Sequence, residues 1–164
     1  MKVRTATPSD IPLIFSFIEK KAEFDRSLGA FLGVLRTSEE KIYKTLFRTV
    51  PFSYVLFAEN SVREVGFALY GFRYSSFAGQ PSIWLDDLYV DEAMRSKGAG
   101  AALMSHLAGV AGENACTHIA WHADARNVRG LHFYHRLGAE IVEQSGNRCL
   151  LKWMPRTASE EAID

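Results

Sequence analysis

Residues 85–104 read LDDLYVDEAMRSKGAGAALM and join three patterns in one stretch. A run rich in aromatic and aliphatic residues at Ile83 to Val90 predicts a strand, which two adjacent carboxylates, Asp86 and Asp87, interrupt. A glycine-containing loop then leads into a helix of small residues that begins at about Gly98. Glycines lack a Cβ atom, and the N–H groups at a helix N-terminus favour phosphate. The stretch therefore predicts a strand, a loop and a helix arranged to cradle a pyrophosphate.

Two nucleotide-binding motifs compete with this interpretation of the glycine loop. The G-x-x-x-x-G-K-[ST] string of a Walker loop does not occur in the chain. The G-x-G-x-x-G/A fingerprint of dinucleotide-binding folds is broken by Leu103, although Asp124 follows a later strand as the ribose-binding acid would. A glycine turn that only caps a helix stays open as a purely structural alternative.

Outward from this stretch the chain alternates between helical and strand periodicity. The first half predicts a strand at 2–6, helices at 11–24 and 37–47, and sequential antiparallel strands at 53–58, 65–74 and 83–90. The second half predicts a helix at 98–109, a strand at 118–122, a helix at 128–137 and short strands near 140–142 and 149–153. These patterns predict an α/β protein with one domain over 1–154 and a polar C-terminal tail over 155–164.

Composition excludes several classes of partner. The 164 residues carry 19 Lys and Arg against 19 Asp and Glu, so the formal net charge is zero and bulk attraction for nucleic acid or anionic membranes is not expected. No stretch approaches the ~18 apolar residues of a membrane span, and the start lacks the apolar run of a signal peptide. Cys116 and Cys149 form no C-x-x-C pair. We expect a cytoplasmic protein that binds neither nucleic acid nor membrane.

Arg95, Gly98 and Gly100 match the [RQ]-x-x-G-x-[GA] signature of the GNAT N-acetyltransferases. The chain resembles in particular the diamine (spermidine/spermine) acetyltransferase branch, from about Val3 to Trp153. The segments that carry this resemblance are 51–59, 65–70, 85–90 and 133–139. The resemblance implies a single-domain GNAT fold, with a mixed, mostly antiparallel central sheet of six to seven strands that is flanked by helices and splayed at the acetyl-CoA site.

The same resemblance implies an acetyl-CoA site. The loop would bind the pyrophosphate, strand backbone would bind the pantetheine arm as an added strand does, and an asparagine would lie near that arm. By this resemblance, the loop residues are Arg95, Ser96, Lys97, Gly98, Ala99 and Gly100. The strand residues are Leu88, Tyr89 and Val90, and the asparagine is Asn127. Without the resemblance, Asn127 is simply a helix N-cap. Ser96 replaces a common loop glycine, which costs affinity only if the position needs a positive φ.

Acetyl transfer to an amine needs a neutral nucleophile, whereas an alkylammonium with a pKa of ~10.4 is protonated near neutral pH. By resemblance, Asp86 takes the acidic position that faces the substrate and accepts this proton. Asp86 and Asp87 are adjacent on a strand, so only one can face the substrate, and ordinary solvated carboxylates are the alternative. Tyr134 matches the family tyrosine that contacts CoA and protonates the leaving thiolate; an ordinary buried tyrosine is the alternative.

The acceptor implied by the resemblance is a small cationic amine. Phe24 and Asp25 resemble the aromatic and acidic pair of the diamine branch, and the strand end at His122 matches a substrate-contact segment. Arg26 follows where those enzymes continue with further acids, so shorter diamines and lysine-like or thialysine-like side chains are as good candidates as polyamines. The branch implies a homodimer, and no recognised metal-ligand set surrounds the histidines. Peptide or protein acetylation, and a CoA-binding regulatory module, stay open as alternatives.

Overall fold

The computed structural model describes residues 1–155, so the predicted polar tail lies outside the described residues except for Pro155. The strands in this part are β1 (Lys2–Thr5), β2 (Tyr54–Glu59), β3 (Glu64–Ser75), β4 (Gln80–Val90), β5 (Ile119–Asp124), β6 (Glu140–Ser145) and β7 (Arg148–Trp153). The helices are α1 (Ile11–Ser27), α2 (Glu39–Leu46), α3 (Ala99–Glu113) and α4 (Val128–Leu137). Short 3-10 turns at Pro8–Asp10 and Glu92–Met94 precede α1 and the glycine loop.

The strands form one open, mixed sheet in the order β1-β2-β3-β4-β5-β7-β6. β4 and β5 run parallel and pair at Ile83 with Ile119 and at Trp84 with Ala120. A parallel pair needs a crossover connection, which α3 supplies. The pairs β1/β2, β2/β3, β5/β7 and β6/β7 are antiparallel. The predicted α/β fold with a mixed, mostly antiparallel sheet is therefore confirmed.

The chain divides into two compact units, and unit 1 comprises residues 1–71 and 85–104. Its core gathers apolar side chains from α1, α2, β2 and β3, namely Ile14, Phe17, Ile42, Val55, Phe57 and Phe67. The ring of Phe17 stacks on Phe67 with centroids 5.3 Å apart. Each large side chain buried in this way contributes about 1.5–3 kcal/mol of transfer free energy. This packing fixes α1 against the strands of its unit.

Unit 2 comprises residues 72–84 and, within the described part of the chain, residues 105–155. Trp121 on β5 is buried and lies against Tyr134 of α4, with ring centroids 4.9 Å apart. Leu107, Ile119 and Leu151 are buried as well. The aromatic pair matters for function because it places the predicted general acid in a packed environment rather than on a mobile surface.

Two helices are longer than the sequence predicts. α1 continues past Phe24 to Ser27, and the chain then turns at Gly29, whose φ is 72°. α3 continues through Gly109 to Glu113 before Ala115 takes a φ of 51°. A glycine inside a helix weakens it by only about 1 kcal/mol, which tertiary packing overrides. Across residues 1–155, none of the helices is both long and apolar enough to cross a membrane.

Candidate active site

The glycine loop of unit 1 has the backbone geometry of an anion cradle. Ser96 and Gly98 have positive φ values of 63° and 90°, whereas Lys97 between them does not. α3 begins directly afterwards, at Ala99, and its first turn is closed by the bond from the Ala102 amide to the Gly98 carbonyl. Alternating signs of φ make successive amides converge, and first-turn amides lack intrahelical acceptors. The loop therefore has a backbone geometry that suits a bound phosphate group.

Gly98 and Ser96 meet their positive φ values with different ease. A Cβ added to Gly98 would touch nothing within 4 Å, so this glycine is required by its backbone conformation and not by crowding. Ser96 adopts a left-handed conformation that costs a residue with a Cβ about 1 kcal/mol or more. Position 96 therefore has the positive φ under which we expect a serine to cost affinity.

Arg95 links the loop to residues predicted for the acceptor side. Its Nε donates a hydrogen bond to the carbonyl of Val90 at 3.0 Å. Its guanidinium lies over the ring of Phe24 at 4.8 Å and over that of Tyr89 at 5.6 Å from the centroids. The two rings themselves meet edge to face, 6.4 Å apart. Phe24, predicted for the acceptor, thus packs with Tyr89 and Arg95, predicted for acetyl-CoA.

The end of β4 is held firmly in place. Asp91 is buried and its carboxylate forms ion pairs with Lys20 of α1 at 2.9 Å and with Arg63 of the β2–β3 turn at 2.5 Å. Gly66 on β3 permits close approach, because a Cβ there would lie 2.8 Å from the carbonyl oxygen of Tyr89. The carbonyl of Tyr89 therefore faces β3, and strand alternation turns the neighbouring backbone groups the other way. Sequence reasoning had not singled out Asp91.

The two adjacent carboxylates of β4 have different environments. Asp86 is exposed, whereas Asp87 is half-buried. Burial raises the pKa of Asp87 to about 6; the Lys21 ammonium acts to lower it, and the carboxylates of Asp86 and Asp25 act to raise it. Asp87 has the same strand parity as Tyr89, which packs on α1 through Phe24. The carboxylate that shares surroundings with the predicted acceptor residue Asp25 is therefore Asp87.

Lys21 was not predicted as a site residue, and it lies in the middle of these charges. Its Nζ donates a hydrogen bond to Asp25 Oδ2 at 2.5 Å, and it is only partly exposed. Arg26 is the residue that stands where the diamine enzymes continue with acids. It pairs with Glu23 at 3.3 Å, and its guanidinium lies over the ring of Phe31 at 5.0 Å. The i, i+4 spacing of Lys21 and Asp25 was visible in the sequence, but helical periodicity alone placed Lys21 on the solvent side.

In unit 2, Asn127 and Tyr134 occupy the two ends of α4. Asn127 caps the helix, with its Oδ1 accepting from the amide of Gly130 at 3.0 Å, and this cap leaves the Nδ2 donor for other partners. A Cβ at Gly130 would approach Asn127 Nδ2 to 2.4 Å, so a larger residue there would displace the capping side chain. Gly138 closes the helix with a φ of 90°, and the amide of Ala139 bonds the carbonyl of Tyr134 at 3.1 Å. Both helix ends fix these residues rigidly.

One buried donor beside Tyr134 stands out. Within residues 1–155, Trp121 Nε1 is the buried side-chain polar atom that has no hydrogen-bond partner. A buried N–H that has no partner costs about 1–3 kcal/mol. This donor lies next to the predicted general acid, because the rings of Trp121 and Tyr134 are in contact.

His122 lies in cationic surroundings. Its ring meets Trp84 edge to face at 5.0 Å, and its Nδ1 accepts from Arg148 Nη2 at 3.0 Å, which leaves the proton on Nε2. Burial and the charges of Arg148 and Arg73 lower the pKa of His122, so the ring is neutral near pH 7.

Metal ligands are not gathered anywhere in the described part of the chain. Among residues 1–155, no group of three or more His, Cys, Asp and Glu side chains is placed to hold a metal ion. Cys116 and Cys149 are unpaired thiols, and burial raises the pKa of Cys116. The Cys116 thiol is therefore not primed as a nucleophile at neutral pH.

A mixed α/β sheet with an anion cradle between a strand and a crossover helix is typical of proteins that bind a phosphate-bearing ligand. Residues 22–139 match the acetyltransferase (GNAT) family. The chain therefore belongs to the GNAT family, whose members use acetyl-CoA, and it is an amine N-acetyltransferase.

Known relatives act on amines. Thialysine N-epsilon-acetyltransferase of Bos taurus is 29% identical over 156 residues, which cover 90% of this chain and 89% of the relative. L-ornithine N5-acetyltransferase NATA1 of Arabidopsis thaliana is 24% identical over 188 residues, which cover 87% and 81%. The structure of PaiA N-acetyltransferase from Thermoplasma acidophilum in complex with coenzyme A has a TM-score of 0.72 at 14% identity, covering 92% and 96%. This last likeness concerns the fold.

Proposed function

We propose that the protein transfers an acetyl group directly from acetyl-CoA to a primary amine of a small cationic acceptor, of the diamine, polyamine or lysine-like and thialysine-like class. The observation that carries this proposal is the cluster of Phe24, Tyr89 and Arg95, beside which Asp25 and the half-buried Asp87 supply negative charge. Acidic groups next to an aromatic ring form a binding site for an ammonium ion. The names of the thialysine and ornithine relatives support acceptors of the same chemistry.

Acetyl-CoA supplies an activated thioester when bound. In the transfer, the acceptor nitrogen forms the new C–N bond while the C–S bond breaks. One proton of the acceptor ammonium passes to a carboxylate of the chain before attack, and the departing thiolate takes a proton from the Tyr134 hydroxyl. The nitrogen loses its second proton as the amide forms, and this proton restores the tyrosine hydroxyl. Phe24, Asp25 and His122 are proposed to contact the acceptor, and Asn127 the pantetheine arm. The loop from Arg95 to Gly100 and the backbone of Leu88, Tyr89 and Val90 are proposed to hold the donor.

The proton acceptor is one of the two adjacent carboxylates of β4. The family resemblance assigns this role to Asp86, which is exposed and able to reach a substrate. A specific observation favours Asp87 as the second candidate: it shares the surroundings of Asp25, and its pKa of about 6 suits a base that works near neutral pH. Separate substitutions distinguish the two.

The test is release of free CoA thiol from acetyl-CoA across a panel of diamines, polyamines, lysine analogues and short peptides, with an amine-free blank. Tyr134→Phe is expected to lower kcat by about 100-fold, because the proton donor is lost, while acetyl-CoA affinity is retained. Asp86→Asn and Asp87→Asn are compared separately. The one that removes the proton-accepting carboxylate is expected to lower kcat by about 10- to 100-fold. Glu40→Gln, an exposed carboxylate on α2, is the matched control.

Several outcomes of this panel would overturn the proposal or its details. Full turnover in Tyr134→Phe at all pH values would remove this tyrosine as the acid. Activity on peptides but not on free amines would favour the protein-acetyltransferase alternative. Binding of acetyl-CoA with no acceptor above the blank would favour the regulatory module.

Two further proposals concern the state of the protein in the cell. A homodimer follows from the resemblance to the diamine branch, and the exposed aromatic side chains of Tyr74 and Phe77 near the β3–β4 turn support it. A cytoplasmic location follows from the sequence. Light scattering of the purified protein tests the first proposal: a monomer at micromolar concentration would contradict it.

A further inference from the structure

The ion pair of Lys21 and Asp25 is shielded from solvent, unlike an equivalent pair elsewhere. Their side chains are 22% and 28% exposed. Lys44 and Glu40 form a pair across one turn of α2, with side chains 67% and 73% exposed. Both are single-turn pairs, so the difference lies in their surroundings and not in their helical spacing. A shielded pair keeps its charges strong, because little water screens them.

The shielded pair lies beside the proposed acceptor site. Phe24, adjacent to Asp25, packs on Tyr89 and beneath the guanidinium of Arg95. The ammonium of Lys21 and the carboxylate of Asp25 both act on Asp87, with opposite signs. The acceptor would therefore meet a fixed positive charge and a fixed negative charge side by side.

Paired charges of opposite sign discriminate between kinds of amine. The far end of a diamine carries one positive charge, which Asp25 attracts and Lys21 repels. The far end of an amino acid carries an ammonium and a carboxylate on one carbon atom, so each can meet an opposite charge. Complementary charge arrangements suppress wrong partners, since like charges brought together cost free energy.

We propose that Lys21 and Asp25 bind the α-carboxylate and the α-ammonium, respectively, of an amino-acid acceptor whose side-chain amine receives the acetyl group. The pair selects amino acids over diamines and long polyamines. This inference rests on the proposed function and deepens it, by naming the acceptor class and the residues that select it.

The first test compares three acceptors in which the same number of carbon atoms, five, separates the reacting amine from the charged group or groups at the far end. L-lysine carries both charges at its far end, cadaverine lacks the carboxylate, and 6-aminohexanoate lacks the α-ammonium. The wild-type kcat/KM for L-lysine is expected to exceed those for the other two acceptors by about tenfold or more. L-ornithine, putrescine and 5-aminopentanoate, in which four carbon atoms replace the five, repeat the comparison for a shorter side chain. A wild-type preference for the diamine would overturn the proposal.

The second test assigns each charge to its residue. Lys21→Met is expected to reduce the preference for L-lysine over cadaverine by about tenfold. It should leave the preference for L-lysine over 6-aminohexanoate unchanged. Asp25→Asn is expected to reduce the preference for L-lysine over 6-aminohexanoate and to leave the preference over cadaverine unchanged. Lys21→Arg keeps the charge and should keep the preference. Lys44→Met, which breaks the exposed pair of α2, is the matched control and should change neither ratio.

Binding separates this inference from the proposed catalysis. Calorimetric titration of L-lysine and cadaverine into the CoA-saturated protein measures selectivity without turnover. Selective binding of L-lysine that Lys21→Met abolishes, with no thiol release, would uphold the pair and contradict the catalytic proposal. Turnover of cadaverine at the rate of L-lysine, or an unchanged ratio in a folded Lys21→Met variant, would uphold catalysis and overturn the pair. If Lys21→Met does not fold, Lys21→Gln takes its place.

Discussion

The two ends of helix α1 carry charge clusters of similar composition, but the pKa values of their carboxyl groups shift in opposite directions. At the N-terminal end, Arg4 donates hydrogen bonds to Asp10, Glu59 and Glu64. The Arg4 guanidinium holds the pKa of Asp10 at about 2 and lowers that of Glu64. One planar cation with several donors thus satisfies three carboxylates at once.

At the C-terminal end, one cation again faces three carboxylates. Lys21 hydrogen-bonds Asp25, while Asp86 and Asp25 raise the pKa of Asp87. Burial is the main cause of the raised value, and within residues 1–155 no hydrogen bond acts to lower it. Lysine is a point charge and does not satisfy three acids in fixed directions.

The difference between the clusters separates a structural role from a functional one. Carboxylates that are fully paired have lowered pKa values and stabilise the fold near neutral pH. A buried carboxyl with a raised pKa costs stability, and such groups concentrate where a ligand completes the site. We infer that the Arg4 cluster fixes the start of α1, and that the Lys21 cluster awaits the charges of an acceptor.

The largest expected effect is on stability, at the structural end. Arg4→Met removes the shared cation and leaves three adjacent carboxylates, so we expect unfolding to become easier by about 2–3 kcal/mol. The corresponding fall in Tm is roughly 5–10 °C. Thermal unfolding followed by circular dichroism measures it. The acetylation rate per folded molecule, measured well below Tm, should be unchanged; a lost rate with an unchanged Tm would reverse the assignment of the two ends.

The next effect is a pH-dependent gain in stability at the functional end. The pKa of Asp87 rises from an ordinary value of 3.8 to about 6 on folding, so its ionisation costs stability increasingly between pH 4 and 6. Asp87→Asn removes this cost, and we expect the variant to gain about 1 kcal/mol relative to wild type above pH 6. Urea unfolding at several pH values measures the gain. A relative loss over this pH range would contradict the raised pKa.

The pKa of Asp10 shifts in the opposite direction to that of Asp87, so its effect on stability has the opposite sign. Its pKa falls from 3.8 to about 2 on folding, so its contribution to stability is complete above pH 4 and is lost as the pH falls toward 2. Asp10→Asn is therefore expected to be less stable than wild type by about 1–2 kcal/mol at pH 7, with the difference shrinking below pH 4. The same urea series measures this. A difference independent of pH would show that the carboxylate charge is not what stabilises the cluster.

The smallest expected effect separates two cations of the same helix. Arg26 pairs with Glu23 across an exposed face, so Arg26→Met should change stability by less than about 0.5 kcal/mol. It should also leave the ratio of lysine to cadaverine turnover unchanged, whereas Lys21→Met changes it. A change of that ratio in Arg26→Met alone would transfer the selective charge from Lys21 to Arg26.

Much of this architecture follows from local patterns in the sequence. The strand at Leu85 to Val90, the loop glycines and the small-residue start of α3 are successive and short-range, so their order sufficed to predict the strand, loop and helix. The cap at Asn127 and the stop at Gly138 are local for the same reason, and the structure confirms both as helix ends.

The charged side of the site depended on packing that the sequence does not record. Strand alternation established that only one of Asp86 and Asp87 could lie toward α1, but which one depends on how α1 packs in its unit. Lys21 fell on the polar side of the helical pattern, yet the structure shields it against Asp25. The side-chain direction of Arg95, over Phe24 and Tyr89, likewise results from contacts between distant segments.

The most direct test of the central claim measures CoA thiol release with small amines for wild type, Asp87→Asn and Arg4→Met under conditions in which all three are folded. We predict release well above the amine-free blank for wild type and for Arg4→Met. For Asp87→Asn we predict a reduced kcat/KM for the amine, because Asp87 belongs to the Lys21 cluster whichever of the two carboxylates accepts the proton. Full activity in Asp87→Asn together with loss in Arg4→Met would contradict the assignment of binding to the C-terminal end of α1. An absence of release with every amine, despite acetyl-CoA binding, would contradict the enzymatic proposal itself.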